Sequence, residues 1–298
     1  MLSEQKKVAP VEADALRLKH LNYKVHEYRI EKAWRRFTDA GFEPLLIKGW
    51  AAAQNYTNPL ERQFNDVDLI VAPEDFQRAE LFWQNYTSLS GDNTAIDLHC
   101  GARHLDTLSY EDLYAHSRSA LCGQTEIRVL RPEDHLRVLC VHWLNDGGAK
   151  REKLWDIFYA VANRPPEFEW ERSLDVVSSR RKRWIVCAVG LAHKYLGLDV
   201  RGTPLADEVE NLPKWLSRAV EKEWRSDVPQ LPLHLYLHDR REFWRQIKKR
   251  FPPNAIQATI EMEGDFDNKP RAFYQIGDML YRLRPSVRRI VRRLKTRD

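Results

Sequence analysis

Residues 66–71 read Asp-Val-Asp-Leu-Ile-Val, a β-favouring apolar run with an acid at each of its first two odd positions. Side chains along a strand alternate between faces, so Asp66 and Asp68 point the same way. The apolar end asks to be buried, while carboxylates resist burial unless something neutralises them. A fold that accepts this segment must therefore bury a strand and supply positive charge near its start. Two further short runs have a similar character. Pro44-Leu45-Leu46-Ile47 reads as a buried strand that turns through Lys48-Gly49 into a helix-like stretch from Trp50 to Tyr56, and Ala95-Ile96-Asp97-Leu98-His99 reads as a third strand. By the same alternation Asp97 and His99 share a face.

Around these strands the chain is easily partitioned. Apolar residues recur at helical spacing from Ala15 to Ala40, among them Leu16, Leu18, Leu21, Val25, Tyr28 and Trp34, and Gly41 stands where a helix C-cap belongs. Asn58-Pro59 breaks the second helix, and Pro73-Glu74-Asp75 opens a third that runs to about Tyr86. Between Ser117 and Leu130 the alternation around Gly123-Gln124 predicts a hairpin, and Arg131-Pro132-Glu133-Asp134 starts a helix through Leu144. Beyond it no strand pattern recurs: amphipathic stretches at 150–163, 170–180, 182–196, 213–225, 239–250 and 271–296 are separated by Pro and Gly. The expected architecture is α/β (α+β), with a small mixed sheet in a core over residues 1–130 and an all-helical domain over 131–298.

Composition excludes several classes. With 298 residues, 43% hydrophobic and 31% charged, the chain is neither disordered nor collagen-like. No apolar run approaches the roughly 20 residues needed to cross a bilayer, and the first fifteen residues lack the apolar stretch of a secretory signal, so a cytoplasmic location is expected. Cys100, Cys122, Cys140 and Cys187 lie far apart and read as reduced, mostly buried thiols. The net charge of +5 is misleading, because residues 282–298 carry eight basic side chains against Asp298 alone and leave the rest slightly acidic. That distribution disfavours a nucleic-acid groove across the main body. Arg284 to Arg297 interleaves basic residues with Val287, Ile290, Val291 and Leu294, the pattern of a short amphipathic helix suited to an anionic membrane or an acidic partner, or one that docks on the body.

Three carboxylates converging from two strands would repel one another, and such clusters are normally neutralised by hard divalent cations on oxygen ligands, magnesium being the commonest. Two metals about 4 Å apart can activate an attacking oxygen and stabilise a leaving pyrophosphate. Lys48-Gly49 at a strand-to-helix turn supplies a complementary cradle for phosphate, and Lys48 or Arg62 can hold triphosphate oxygens. His99-Cys100 with His104 has a metal-like spacing, but no fourth ligand lies near and Cys100 opposes His99 across the strand.

In the order and spacing of these segments the chain resembles the DNA polymerase beta-like nucleotidyltransferase superfamily, and is most similar to a bacterial, uncharacterised nucleotidyltransferase branch. The resemblance rests on Leu45-Leu46-Ile47-Lys48-Gly49, an Arg before Asp66-Val67-Asp68-Leu69-Ile70-Val71, then Ile96-Asp97-Leu98-His99, a Pro132-to-Leu136 helix with His142, and Lys153-Leu154-Trp155-Asp156-Ile157, covering about residues 40–165. It implies magnesium-dependent transfer (with manganese as the alternative) of a nucleoside monophosphate from an NTP to a hydroxyl, amine or phosphate on a small molecule or peptide. Asp66, Asp68 and Asp97 would hold the metal, with Asp97 helping to position the attacking group. Lys48, Gly49 and Arg62 would bind the triphosphate. His99, His135, His142 and Asp156 are further candidates for substrate contact. Trp50 departs from the superfamily, whose turn often continues Gly-Ser or Gly-Gly, and motivates the alternative of an inactive nucleotide-binding or regulatory protein. A scaffold docked to a membrane or partner through its basic tail is the other alternative.

Overall fold

The computed structural model describes residues 5–101, 108–226, 228, 236, 238–268 and 270–282. Helix α1 (Gln5–Asp39) leads into β1 (Leu45–Ile47), α2 (Gly49–Ala53) and a 3-10 turn at Pro59–Glu61, then β2 (Val67–Val71), α3 (Phe76–Ser90) and β3 (Ile96–Cys100). After α4 (Tyr110–Ala115) come the hairpin strands β4 (Arg118–Cys122) and β5 (Thr125–Val129), and then α5 (Pro132–Asn145). The remaining elements are helical: α6 (Leu154–Ala162), α7 (Trp170–Leu174), α8 (Ser179–Leu196), α9 (Ala206–Val209), α10 (Lys214–Trp224), α11 (Arg240–Arg250) and α12 (Ala255–Glu261), with helix again over 271–282. The fold is thus α/β, with one small mixed sheet followed by helices alone among the described residues. The basic stretch Arg284 to Arg297 lies outside them.

The five strands are ordered β3-β2-β1-β5-β4. β1 runs antiparallel to β2 and parallel to β5, β2 runs parallel to β3, and β4 and β5 form the antiparallel hairpin. Strand alternation gives the sheet two apolar faces. On one, Leu46, Val67, Leu69 and Val71 meet Ile30, Trp34 and Phe37 of α1. On the other, Leu45, Ile47 and Ile70 meet Tyr110, Leu113 and Leu130. β2 lies inside the sheet and is buried along its whole length, whereas β3 lies at the edge and is only half-buried, which differs from the expectation of a third strand of the same character.

Helix α1 runs through the stretch expected from Ala15 to Ala40. Ile30, Ala33, Trp34 and Phe37 are buried, but Leu16, Leu18, Leu21, Val25 and Tyr28 are exposed. At 100° per residue Leu18, Leu21, Val25 and Tyr28 fall on the side opposite the buried set, so the helix carries two apolar sets. Helices α4, α9 and α12 were not expected from sequence, since four to seven residues carry too little periodicity to register.

The chain divides into two compact units, one of residues 1–139 and 159–177, the other of 140–158 and 178–298. The first therefore takes in the start of α5 and a returning segment beyond the expected boundary at residue 130. The second is built on α8, whose Ser178 caps the N-terminus by accepting from the Arg181 N–H and whose Gly197 closes the C-terminus in the left-handed region. Trp184 of α8 is fully buried and donates to the Gly264 carbonyl at 3.0 Å.

A buried ionic knot ties α4, α5 and α7 together within the first unit. Asp134, fully buried, accepts from Arg137 at 2.6 Å and from Arg172 at 2.9 Å, and Arg172 also reaches Asp112 at 2.8 Å. Arg137 is buried as well and donates to the Arg172 carbonyl. Removing the shared acid strands a guanidinium in the core, so Asp134→Leu should lower unfolding free energy by about 3–5 kcal/mol. Urea unfolding measures this, and a loss under 1 kcal/mol would show that the knot is not needed.

Candidate active site

The site is assembled where β1 ends and β2 and β3 begin. Register places Ile47 opposite Asp68 and Asp68 opposite Asp97, with His99 opposite Ile70. Because β2 and β3 are parallel neighbours, Asp68, Asp97 and His99 emerge on one face of the sheet.

Lys48 follows β1 in an uncommon backbone conformation for a residue with a side chain, φ 52° and ψ −140°, and Gly49 continues at φ 24°. A side chain at Gly49 would meet only ordinary contacts, its Cβ standing 3.6 Å from the Asp66 carbonyl oxygen, so the constraint there is the backbone angle and not space. The turn is held from behind by His135, whose Nε2 accepts the Lys48 backbone N–H at 3.0 Å. From the front the Lys48 ammonium, itself buried, donates to Asp68 Oδ1 at 2.8 Å and lies 3.1 Å from His99 Nε2. His99 Nε2 in turn stands 3.2 Å from Asp68 Oδ1 and 3.3 Å from Asp97 Oδ2. With a proton on Nε2 the ring donates to a carboxylate, and without one it accepts from Lys48.

Burial alone would raise the pKa of Asp68, but the hydrogen bond from His99 and the charge and hydrogen bond of Lys48 outweigh it and hold the acid below the ordinary carboxylate value. His135 moves the other way for a base. Enclosure, with Arg118 and Lys48 nearby, depresses it to about 4 despite the opposing charge of Asp68. The ring is neutral near pH 7, as an acceptor of the Lys48 N–H must be.

Asp68, Asp97 and His99 offer ligand atoms within 4.8 Å of one another. Two carboxylate oxygens suit Mg2+ or Mn2+, and an imidazole nitrogen favours manganese over magnesium among the two. The donor set therefore fits a divalent cation.

Not every expected residue joins this group. β2 begins at Val67, so strict alternation stops short of Asp66, which is exposed and stands outside the ligand group found among the described residues. Arg62 lies beyond the 3-10 turn and lines a depression against α1, not the cluster. His142 and Asp156 belong to the other compact unit. There His142 Nε2 lies 3.1 Å from the Lys153 ammonium, which donates to Asp146 at 3.0 Å, and Asp156 is buried on α6. His135 and His142 stand one heptad apart on α5, but each has its own partner, the Lys48 N–H for His135 and the Lys153 ammonium for His142. Helix α2 has five residues, too few to aim an appreciable dipole at phosphate, so Lys48 is the positive element of the turn. Trp50 is buried in the core on the sheet face away from Asp68, with Nε1 donating to Glu27 at 3.3 Å, and so leaves the turn uncrowded.

With this geometry in view, comparison with known proteins is direct. Residues 13–197 match a family described as uncharacterised nucleotidyltransferase. The chain belongs to that family. It is by family a transferase of nucleotidyl groups. A solved structure of an antigenic nucleotidyltransferase-like protein from Paracoccidioides brasiliensis is similar at 12% identity and a TM-score of 0.39, covering 65% of this chain and 94% of that one. No curated protein matches. No described helix is long and apolar enough to cross a membrane.

The depressed pKa of His135 gives a test of its place behind the turn. Between about pH 4 and 6.5 the unfolded chain binds a proton at this residue and the folded chain does not, so stability is full above that window and falls as pH drops through it. Wild type should lose about 3 kcal/mol from this group between pH 7 and pH 4, and His135→Gln should not show that component. Chemical unfolding at a series of pH values decides it, parallel profiles for the two proteins being the contrary result.

Proposed function

We propose that this chain is a divalent-metal-dependent nucleotidyltransferase that moves a nucleoside monophosphate from an NTP to a hydroxyl, amine or phosphate of a small molecule or peptide. The observation that carries the reading is the Lys48–Asp68–Asp97–His99 cluster on adjoining strands, in a chain of a nucleotidyltransferase family. A bound Mg2+ or Mn2+, held by Asp68 and Asp97, would supply charge stabilisation at the phosphates. In the transfer, an acceptor oxygen or nitrogen forms a bond to the α-phosphorus, the bond to the α–β bridging oxygen breaks, and pyrophosphate leaves with that oxygen. Lys48 presents its ammonium to the phosphates, with its backbone fixed by His135. Asp97, the more exposed carboxylate, accepts a hydrogen bond from the acceptor, and His99, 3.3 Å from it, is placed to take the acceptor's proton.

These residues all lie in the first compact unit. A small or peptide acceptor is preferred to nucleic acid because positive charge is concentrated in the final segment and not across the body. The burial of Trp50 on the sheet face away from Asp68 supports this reading over that of an inactive protein.

Calorimetric titration with ATP, CTP, GTP and UTP, each with and without Mg2+ or Mn2+, tests the reading. At least one nucleotide should bind the wild type only with metal, and Asp68→Asn should lose that binding and at least about 10²-fold of any transfer rate. Transfer that persists unchanged in Asp68→Asn would overturn the mechanism.

A further inference from the structure

The last described helix, residues 271–282, distributes its side chains against the rule for a helix facing water, which puts charge outside and apolar groups within. Phe273, Ile276 and Leu280, spaced i, i+3 and i+7, share an outward face bordered by Tyr281, and each of the four is more than half exposed. The charged residues of the same helix are turned to the other side. Asp278 is buried and accepts from Arg282 at 2.7 Å, while Arg271 donates to the Asp265 carbonyl at 2.7 Å and lies 4.5 Å from the centre of the Trp215 ring. Tyr274, buried, accepts the Asp265 N–H at 2.9 Å, and Gln275 donates to the Pro253 carbonyl at 2.6 Å. These bonds fix which side of the helix points outward. Met262, itself exposed, extends the apolar face, its Cε standing 3.0 Å from where a Cβ on Gly277 would be.

The neighbouring helix adds the other half of the chemistry. The end of α11 and residues Met279 and Arg282 line one depression, so the two helices adjoin. Arg241, Trp244, Arg245 and Lys248 of α11, spaced i, i+3, i+4 and i+7, form an exposed face of three cations around an indole, with Arg245 paired to Glu242 at 3.4 Å. In sequence, residues 284–298 follow the last described helix with seven basic side chains against Asp298 alone, interleaved with Val287, Ile290, Val291 and Leu294.

Each class of side chain here has its place at a lipid surface. Aliphatic groups enter the acyl boundary, Trp and Tyr sit at the headgroups, and Lys and Arg attract anionic lipid. A nucleic-acid backbone would take the charge but offer Phe273, Ile276 and Leu280 nothing apolar to bury against. We propose that the outward face of helix 271–282, together with the basic segment after it, is a docking surface for an anionic lipid bilayer. Stable attachment of a surface protein usually needs two signals, an apolar insertion and a polybasic patch, and this surface carries both. It lies within the second compact unit and does not depend on the reading of the Lys48–Asp68 cluster.

The test is cosedimentation of the full-length protein with vesicles of equal parts phosphatidylserine and phosphatidylcholine, against vesicles of phosphatidylcholine alone. The wild type should bind the anionic vesicles at least about tenfold more tightly, and added salt should weaken that binding. Ile276→Ser/Leu280→Ser and Arg292→Gln/Arg293→Gln should each lose about tenfold or more, the first through apolar burial and the second through charge. Leu89→Ser, which removes an equally exposed apolar side chain from α3, should stay within about twofold of wild type. All the substituted residues of known exposure lie at the surface, and thermal unfolding confirms that the variants remain folded. Failure to bind anionic vesicles would overturn the proposal, as would equal binding to the two kinds of vesicle. Binding indifferent to Ile276→Ser/Leu280→Ser, with duplex DNA bound as tightly, would give the surface to nucleic acid. If vesicles do not bind and sedimentation shows a dimer that Ile276→Ser/Leu280→Ser dissociates, the face belongs to a second copy of the chain.

Discussion

Everything at the site depends on how the chain leaves β1. Lys48 is held at two ends, its backbone N–H by the neutral ring of His135 and its ammonium by Asp68. The first bond makes an unfavourable backbone conformation tolerable by satisfying a buried donor that would otherwise be orphaned. The second places a cation against a buried carboxylate whose pKa burial alone would raise. The second bond depends on the sheet, since Asp68 reaches its position only because β2 pairs with β1, and Asp97 and His99 join it only because β3 pairs with β2.

The three strands and their acids were legible because alternation and apolar run length are local properties. Lys48-Gly49 as a turn and the hairpin around Gly123 were legible for the same reason. What escaped was whatever depends on the exact start of a strand or on distant chain. Asp66 shares a D-x-D pattern with Asp68, yet one residue of strand length separates a buried, hydrogen-bonded carboxylate from an exposed one. His135 could be flagged from sequence as a histidine on a helix, but nothing local says that it faces a backbone N–H 87 residues earlier. Trp50 stands where the resemblance expects Ser or Gly after Gly49, and only the packing of α1 against the sheet shows where the indole goes.

Helix α1 shows the limit of reading a helix by one periodicity. One side, from Ile30 to Phe37, builds the core, and Lys19, Asn22, Tyr23 and His26 line a small depression. A third set, Leu18, Leu21, Val25 and Tyr28, faces outward. A hydrophobicity count sums the first and third sets into a single apparent stripe, and it passes over the second, whose residues are mostly polar.

The span between Lys48 and His135 also sets an order of assembly during synthesis. A ribosome adding about 5–20 residues per second makes Lys48 and both metal-type carboxylates seconds before it makes the imidazole that secures the turn. A nascent chain that has completed β5 holds every strand of the sheet but lacks the partner of the Lys48 backbone N–H. The bond that holds the Lys48 backbone can therefore form only once α5 has emerged and packed behind the turn, after every strand and both carboxylates are already made.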